Sequence, residues 1–150
     1  MSVHSTDLRA FVAGWEGCKL EPYEDVVGVW TCGYGHVLKP GEPREPWTQH
    51  QADQVLDDDL ATHGGRLRPF LLAEPTQQQF DALLSLAFNV GVGAVGKSGL
   101  MSLHNTGDHA RCADRFRVWC MAGGKEVPGL RKRREAERAI YLSGDYTGRP

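Results

Sequence analysis

Two carboxylates and a hydroxyl residue lie close together near the start of the chain and could perform acid-assisted hydrolysis. Glu16 comes at the end of a predicted helix, and Asp25 and Thr31 follow in a predicted β-hairpin. Because the two acids come from different elements, one can keep its proton while the other stays ionised. Cleavage of a glycosidic bond needs such a pair. The pattern is also typical of solvated carboxylates beside a hairpin, so it does not settle the chemistry alone.

The helix that ends near Glu16 has clear start and stop signals. Ser5 is suited to be its N-cap, and apolar residues recur on one face at helical spacing: Leu8, Phe11, Val12 and Trp15. Gly17 is predicted to end it. The partial negative charge of a helix C-terminus disfavours an ionised Glu16 and favours a proton donor there. From 22 to 36, short β-type runs alternate with glycines and predict a tight hairpin.

Helices are predicted for most of the remaining chain. Capping boxes at Thr48 and Thr76 begin two of them, and the second introduces the best candidate for a central buried helix. Glycines break the chain over 91–99, and a later helix begins at Asp108 and is predicted to end at 123–124. Bulky side chains of these helices are expected to form the core: Phe80, Leu84, Phe88, Phe116 and Trp119.

Strands are thus predicted only in the early hairpin region, and the fold class is α+β. We expect a single catalytic domain over 1–150 with an active-site cleft between two lobes. The small N-terminal lobe, with the hairpin, covers about 14–60, and the larger helical lobe covers 1–13 plus 61–150. No separate cell-wall-binding domain is expected.

Composition and charge narrow the classes of function. The 150 residues are 41% hydrophobic and 24% charged, as in an ordinary globular domain. No apolar stretch is long enough to span a bilayer and no signal peptide is evident, so we expect no membrane insertion. Residues 1–96 carry a formal charge of −7 and residues 97–150 carry +5. A basic C-terminal half suits an anionic polymer, either nucleic acid or bacterial cell wall.

Neither a metal nor a cofactor is expected. The six histidines do not cluster at ligand spacing, and the four cysteines contain no C-x-x-C pair. Cys18 and Cys32 flank the acid pair, and we suggest that a disulfide between them could make activity sensitive to redox conditions. The alternative interpretation is that all four cysteines are reduced thiols with a structural role.

Three segments of the chain carry a family resemblance. Residues 16–36 have the form E-G-(x)5-Y-x-D-x-x-G-x-x-T-x-G-Y-G-H, which resembles the active-site segment of phage-type lysozymes, the T-even-phage class of endolysin in glycoside hydrolase family 24. QFDALLSLAFNVGVGA over 79–94 and AGGKEVPGLRKRREAER over 122–138 are similar to further stretches of phage and prophage members. Because order and spacing agree over 5–144, the chain is identified as a member with a lysozyme-like fold.

The resemblance implies a role for each member of the first motif. Glu16 matches the general acid, Asp25 the second carboxylate, and Thr31 the hydroxyl that helps to hold the attacking water. A threonine hydroxyl can both donate to Asp25 and accept from that water. The implied substrate is bacterial peptidoglycan, cut at the β-1,4 bond between N-acetylmuramic acid and N-acetylglucosamine. Direct attack by water inverts the configuration and needs the carboxyl groups about 6.5–9.5 Å apart. A lytic transglycosylase and a non-catalytic peptidoglycan-binding protein are the alternatives.

Other residues are weaker candidates for contact with substrate. Asn89 occupies a position where the family commonly places an amide facing the sugar cleft, and Tyr34 and His36 adjoin the hairpin. Trp30 and Tyr23 could stack on a saccharide, although aromatic residues here more often form the core of a lobe.

The basic run 131–134 leaves three alternatives open. It could be a solvated helical face with Glu135 and Glu137 as intrahelical partners, or it could attract the anionic wall at long range. Alternatively, one arginine could reach Glu16 across the cleft, but the sequence does not identify which one.

The resemblance also implies a route to the substrate. We expect a monomer without an N-terminal signal-anchor that stays in the host cytoplasm until a holin permeabilises the membrane. It would then reach the periplasm and the cell wall. Nucleic acid is not expected as a partner, because the basic run lacks interleaved aromatic residues and any recognised binding module.

Overall fold

A computed structural model describes residues 3–150 of the chain. Within that range it contains seven α-helices and five short β-strands, which confirms the α+β class. The elements, in chain order, are α1 (Thr6–Glu16), β1 (Lys19–Glu24), β2 (Trp30–Gly33), β3 (His36–Val37), α2 (Gln49–Leu67), α3 (Gln77–Val90), α4 (Val92–Gly96), α5 (Gly99–Asn105), α6 (His109–Arg115), β4 (Met121–Ala122), β5 (Lys125–Glu126) and α7 (Pro128–Ser143). Over the same range, no helix is both long and apolar enough to cross a membrane.

The first helix has the predicted signals at both ends. The Ser5 hydroxyl accepts a hydrogen bond from the Leu8 N–H, which satisfies one of the free donors of the first turn. Gly17 ends α1 with φ 70°, a conformation that side chains other than glycine rarely adopt. The predicted apolar face is buried at Leu8, Phe11 and Val12. As a result, Glu16 is the last residue of a helix that is anchored in the core.

The early strands form a three-stranded antiparallel sheet in the order β1-β2-β3. Tyr23 on β1 lies opposite Thr31 on β2, and Thr31 lies opposite Val37 on β3. The register shifts between Lys19 and Tyr23, as at a β-bulge. The hairpin is therefore confirmed, and β3 extends it into a sheet whose β1–β2 turn carries Asp25.

Both predicted capping boxes are present, at Thr48 of α2 and Thr76 of α3. The α2 helix continues through the glycine pair at 64–65 to Leu67. A β-carbon at Gly64 would lie 3.3 Å from the ring of Phe80, so the missing side chain lets α2 and α3 pack closely. This packing offsets the low helix propensity of glycine.

The α3 helix is central, as predicted. Every residue from 79 to 87 is buried, and α7 packs along the helix. Among the predicted core side chains, Phe88 and Trp119 are half-buried at its edge. The others are buried: Phe80, Leu84 and Phe116. The polar residues within this buried stretch, such as Asp81 and Ser85, have hydrogen-bond partners inside the protein.

Three local predictions were wrong. The helix that begins at Asp108 ends at Arg115, and the glycines 123–124 form the turn between β4 and β5, with φ 58° and 77°. Strands are therefore not confined to the early region. The glycine-rich stretch 91–99 is also not simply a break, because it contains α4 and the first residue of α5. Short elements such as these depend on tertiary contacts more than on local propensity.

Candidate active site

Glu16 lies at the C-terminal end of α1 and is paired with a buried arginine. The Arg133 Nη1 donates to Glu16 Oε1 at 2.7 Å, and the Glu16 side chain is 23% exposed. Of the alternatives left open for the basic run, the structure therefore shows an arginine at Glu16, and it is Arg133. The carboxyl group of Glu16 is thus held at the helix end by a charge-assisted hydrogen bond.

Asp25 lies in the turn between β1 and β2 and is held there by backbone donors. Its Oδ1 accepts hydrogen bonds from the N–H groups of Val27 and Val29, each at 2.9 Å. The Asp25 N–H in turn donates to the Val29 carbonyl. These bonds leave Oδ2 available and fix the direction of the carboxylate without a nearby cation.

Thr31 lies on β2 with its side chain buried. We expected its hydroxyl to be able to donate to Asp25, but it donates instead to the Val29 carbonyl at 3.1 Å. The carbonyl belongs to the residue that immediately precedes β2, two positions before Thr31, whereas the Asp25 Oδ1 already accepts from the backbone of its own loop. The proton of the hydroxyl is thus engaged, and the lone pairs of its oxygen can still accept a hydrogen bond.

An open cavity of about 470 Å³ adjoins Glu16. It contains the three predicted substrate-contact residues as well: Tyr34, His36 and Asn89. Asp25 and Thr31 do not belong to its lining. The volume lies within the range of small-ligand sites. The structure thus brings Glu16 together with the weaker candidates on one cavity wall.

The polar ends of Tyr34 and His36 are bonded to neighbouring residues. The Tyr34 hydroxyl donates to Asp53 at 2.9 Å, and both burial and that carboxylate raise the pKa of Tyr34. His36 lies between Asp59, 2.8 Å from Nδ1, and Glu42, 3.4 Å from Nε2. These bonds tie the sheet to α2 and the following loop, so the two side chains present ring surface to the cavity.

Asn89 is exposed at the end of α3, and its orientation is defined by a second buried arginine. The Arg134 Nη2 donates to Asn89 Oδ1 at 2.8 Å. A guanidinium can only donate, so the carbonyl side of the amide must face Arg134. The NH₂ side of Asn89 is then turned away from Arg134 and remains available as a donor.

Sequence reasoning missed how the basic run divides. Arg131 and Lys132 are exposed, whereas Arg133 and Arg134 are buried and share the fully buried carboxylate of Glu137. Burial raises the pKa of Glu137 and lowers the pKa of Arg134. The available signal was spacing, because Glu137 follows Arg133 by one turn on the same side as the apolar residues of α7.

Several residues that line the cavity lie outside the motif of residues 16–36 and were not predicted from the sequence. One face of α2 lines the cavity at the helical spacing i, i+3, i+4, i+7: Asp59, Thr62, His63 and Arg66. The His63 ring packs on Phe88 with centroids 4.9 Å apart. Phe88 is therefore both an edge of the core and part of the cavity wall.

The aromatic and sulfur candidates lie around the sheet. The Arg44 guanidinium covers the Trp30 ring at 4.2 Å, and the Lys19 ammonium covers the Tyr23 ring at 4.4 Å, so cations already occupy one face of each ring. Cys18 and Cys32 are free thiols, the first exposed and the second buried. Burial raises the pKa of Cys32. The suggested redox sensitivity remains a prediction.

The chain is similar to known proteins over most of its length. The family model described as phage lysozyme matches residues 13–137. The SAR-endolysin of Enterobacteria phage P21 is 39% identical over 131 residues, which cover 87% of this chain and 79% of that protein. A solved endolysin from Escherichia coli O157:H7 phage FAHEc1 has a TM-score of 0.86 and 33% identity and covers 97% of this chain and 96% of its own.

A solved mutant of P22 lysozyme is also similar, with a TM-score of 0.86 and 29% identity. The match covers 95% of this chain and 100% of the P22 lysozyme chain. These neighbours confirm the predicted lysozyme-like fold, and the family match includes Glu16, Asp25 and Thr31 as well as the cavity residues. On the family model, the relatives and the fold together, this chain belongs to the phage lysozyme family.

Proposed function

We propose that the chain is a phage endolysin of muramidase type that hydrolyses the β-1,4 bond from N-acetylmuramic acid to N-acetylglucosamine in peptidoglycan. The observation that carries the proposal is the placement of Glu16. It ends a helix whose apolar face is buried, it lines an open cavity, and it accepts a hydrogen bond from a buried arginine. Such an acid can meet a polymer that lies in the cleft.

Glu16 is the proposed proton donor. Its Oε1 accepts from Arg133, which leaves Oε2 to carry the proton that passes to the leaving glycosidic oxygen. A guanidinium has no acceptor, so Arg133 orients the carboxyl group without competing for that proton. Substrate that enters the cavity displaces water from around the carboxyl group and excludes it from the reacting atoms.

Asp25 and Thr31 have the complementary roles in this proposal. Asp25 stays ionised, stabilises positive charge on the sugar and directs the attacking water through its second oxygen. Thr31 accepts a hydrogen bond from that water, which agrees with its own proton being donated to the Val29 carbonyl. Direct attack by water gives inversion of configuration. A retaining route would instead form a glycosyl ester on Asp25.

The remaining predicted residues bind the glycan. Asn89 offers its NH₂ group as a donor to a sugar oxygen, while Tyr34 and His36 contribute ring surface to the cavity wall. The chain works as a single catalytic domain over 1–150, with lobes at about 14–60 and at 1–13 plus 61–150. It acts as a monomer, and a holin gives it access from the host cytoplasm to the periplasm and wall.

The test is clearing of purified Gram-negative peptidoglycan by the wild type, Glu16→Gln and Glu24→Gln, with mass spectrometry of the released sugars. Glu24 is an exposed carboxylate next to Asp25, so Glu24→Gln is a matched control for the change of charge. We expect reducing muramic-acid ends from the wild type and the control, and no release by Glu16→Gln.

The other outcomes identify the alternatives. Anhydro ends would show a lytic transglycosylase. Binding without release of sugars by the wild type would show a non-catalytic peptidoglycan-binding protein. Full activity in Glu16→Gln would remove Glu16 from the mechanism.

A further inference from the structure

We infer that Glu137 is a positioning residue that holds both the catalytic acid and the substrate-facing amide of the cleft, each through one arginine. The inference rests on the proposed function of the cleft. It extends that function to a buried residue on α7 that lies behind the cavity and does not belong to its lining.

Each oxygen of the Glu137 carboxylate lies within ion-pair distance of a buried arginine, and the side chain has no exposed surface. The Ser85 hydroxyl of α3 donates to Oε2 at 2.5 Å, and the Arg133 Nε lies 3.3 Å from the same oxygen. The Arg134 Nε lies 2.9 Å from Oε1. The carboxylate therefore anchors two adjacent guanidinium groups to the central helix.

Each arginine reaches the cleft through a terminal nitrogen of its guanidinium, and the Arg134 Nη2 also lies 3.5 Å from Glu137 Oε2. Arg133 donates through Nη1 to Glu16 at 2.7 Å, and Arg134 donates through Nη2 to Asn89 at 2.8 Å. Arg134 also reaches the Trp119 carbonyl, 3.4 Å from Nη1. Because the guanidinium is rigid and planar, fixing its Nε at Glu137 also fixes the direction of its Nη atoms.

A carboxylate is required at this position for an electrostatic reason. Arg133 and Arg134 are 4% and 0% exposed and adjacent in sequence, so without a shared anion two desolvated cations would repel each other. Burial and the charge of Arg133 both lower the pKa of Arg134, which shows the cost that Glu137 offsets. Neutralising Glu137 would allow either arginine to turn toward solvent, and its cleft partner would lose its orientation.

The arrangement also predicts which atom of the substrate Asn89 binds. With its carbonyl held by Arg134, the amide presents N–H donors, so the matching group is an acceptor oxygen such as an acetamido carbonyl. If Arg134 were released, the amide could rotate and present its own carbonyl. The Arg134 branch should therefore affect KM, and the Arg133 branch should affect kcat.

The test compares Glu137→Gln with the wild type in steady-state hydrolysis of soluble peptidoglycan fragments. A displacement of the acid by about 1 Å costs on the order of 100-fold, so we expect kcat to fall by about that factor and KM to rise. Asn89→Ala should raise KM in the wild type and have little effect in Glu137→Gln. Additive effects of the two changes would overturn the inference.

Two control variants separate positioning from folding. Asp81→Asn changes another fully buried carboxylate that has no contact with the cleft, and Glu135→Gln removes an exposed charge on α7 that pairs with Arg117. Both should keep kcat and KM once rates are divided by the folded fraction. If Glu137→Gln does not fold, Ser85→Ala, which removes one donor to Glu137, should show the same kinetic trend in weaker form.

A second readout does not depend on catalysis. NMR signals of the Arg133 and Arg134 guanidinium N–H groups, which are buried, should be protected from exchange in the wild type and lose protection in Glu137→Gln. Unchanged signals would overturn the inference. If the wild type did not cut peptidoglycan, the proposed function would fail, while this measurement would still decide whether Glu137 positions the two arginines.

Discussion

Two carboxylates, Asp81 on α3 and Glu137 on α7, are fully buried but have opposite kinds of partner. Asp81 accepts hydrogen bonds from neutral donors: the Ser5 hydroxyl at 2.5 Å, the Gln77 amide at 2.9 Å and the Tyr146 hydroxyl at 2.6 Å. Glu137 instead faces two arginines, with a serine hydroxyl as its neutral donor.

The difference shows what each site does for the molecule. The partners of Asp81 come from the start of α1, the start of α3 and the C-terminal tail, so this carboxylate holds distant segments of the chain together. Within residues 3–150, its hydrogen bonds do not lead to the residues of the cleft. The partners of Glu137 continue outward to Glu16 and Asn89. A hydroxyl has a single donor, so it can satisfy a buried anion but cannot also donate to another group. An arginine has five N–H donors, so it can bind a buried carboxylate and donate to a second residue as well.

The largest effect is expected from breaking the charged site. Arg134→Met removes one cation and leaves the fully buried Glu137 short of a partner. Loss of one partner of a buried pair costs about 3–5 kcal/mol, so the free energy of unfolding should fall by that amount in urea titration. A loss below about 1 kcal/mol would mean that Arg133 and Ser85 suffice, and that the two buried sites are more alike than their partners suggest.

The next largest loss of stability is expected at Asp81, whose hydrogen-bond donors are neutral. Asp81→Asn keeps the shape but turns an acceptor into a donor that faces the hydroxyls of Ser5 and Tyr146. We expect a loss of about 1–3 kcal/mol in the same urea titration, because buried donors lose their partner. The specific activity of the folded fraction should not change. A specific drop in kcat would contradict the assignment of Asp81 to folding alone.

The two serines give a matched pair of smaller changes. Ser85→Ala removes one hydrogen bond to Glu137 and should cost about 1 kcal/mol. Ser5→Ala removes the bond to Asp81 and also the N-cap of α1, so the cost should be about 1 kcal/mol greater. Thermal melts of both variants test this order. Equal losses would show that the cap contributes little beyond the bond to Asp81.

The smallest expected effect is a change in the free energy of unfolding with pH, caused by His104, a buried side chain that contacts neutral groups. His104 accepts from Tyr141 through Nδ1 and lies 3.2 Å from the Ala73 carbonyl through Nε2, and burial lowers the pKa of His104. Its contribution to stability is therefore complete above the unfolded pKa of about 6.5 and is lost as the pH falls below it.

At about pH 6 this loss should be under about 1 kcal/mol relative to about pH 8, because only part of the unfolded-state histidine is protonated there. The measurement is the free energy of unfolding at both pH values for the wild type and His104→Gln. The extra loss on acidification should vanish in the variant. The same pH dependence in both proteins would assign it to another group.

Much of the fold could be predicted from local signals. The caps at Ser5, Thr48 and Thr76 and the stop at Gly17 depend on a few neighbouring residues, and all occur where the sequence placed them. The missed elements were the β4–β5 hairpin and the short helices near 91–99. These elements are too short to be stable alone, so their conformation follows from the contacts around them.

The candidate site divides in the same way. The motif around Glu16, Asp25 and Thr31 and the family it indicates were readable from residue types and spacing, because the chemistry needs those groups in that order. The sequence by itself therefore determined the class of the fold, the helix end that carries the acid, and the proposed catalytic set.

Only the tertiary structure decided which basic residues of α7 are buried. Arg131 and Arg134 look alike in sequence, but the rotation of α7 against α3 turns Arg133 and Arg134 toward Ser85 and leaves Arg131 and Lys132 outside. The spacing of apolar residues on α7 indicates which face is buried, but it does not show which residues of other helices that face contacts, because those contacts are set by packing. The link between Glu137 and the cleft could therefore be seen only once the helices were packed together.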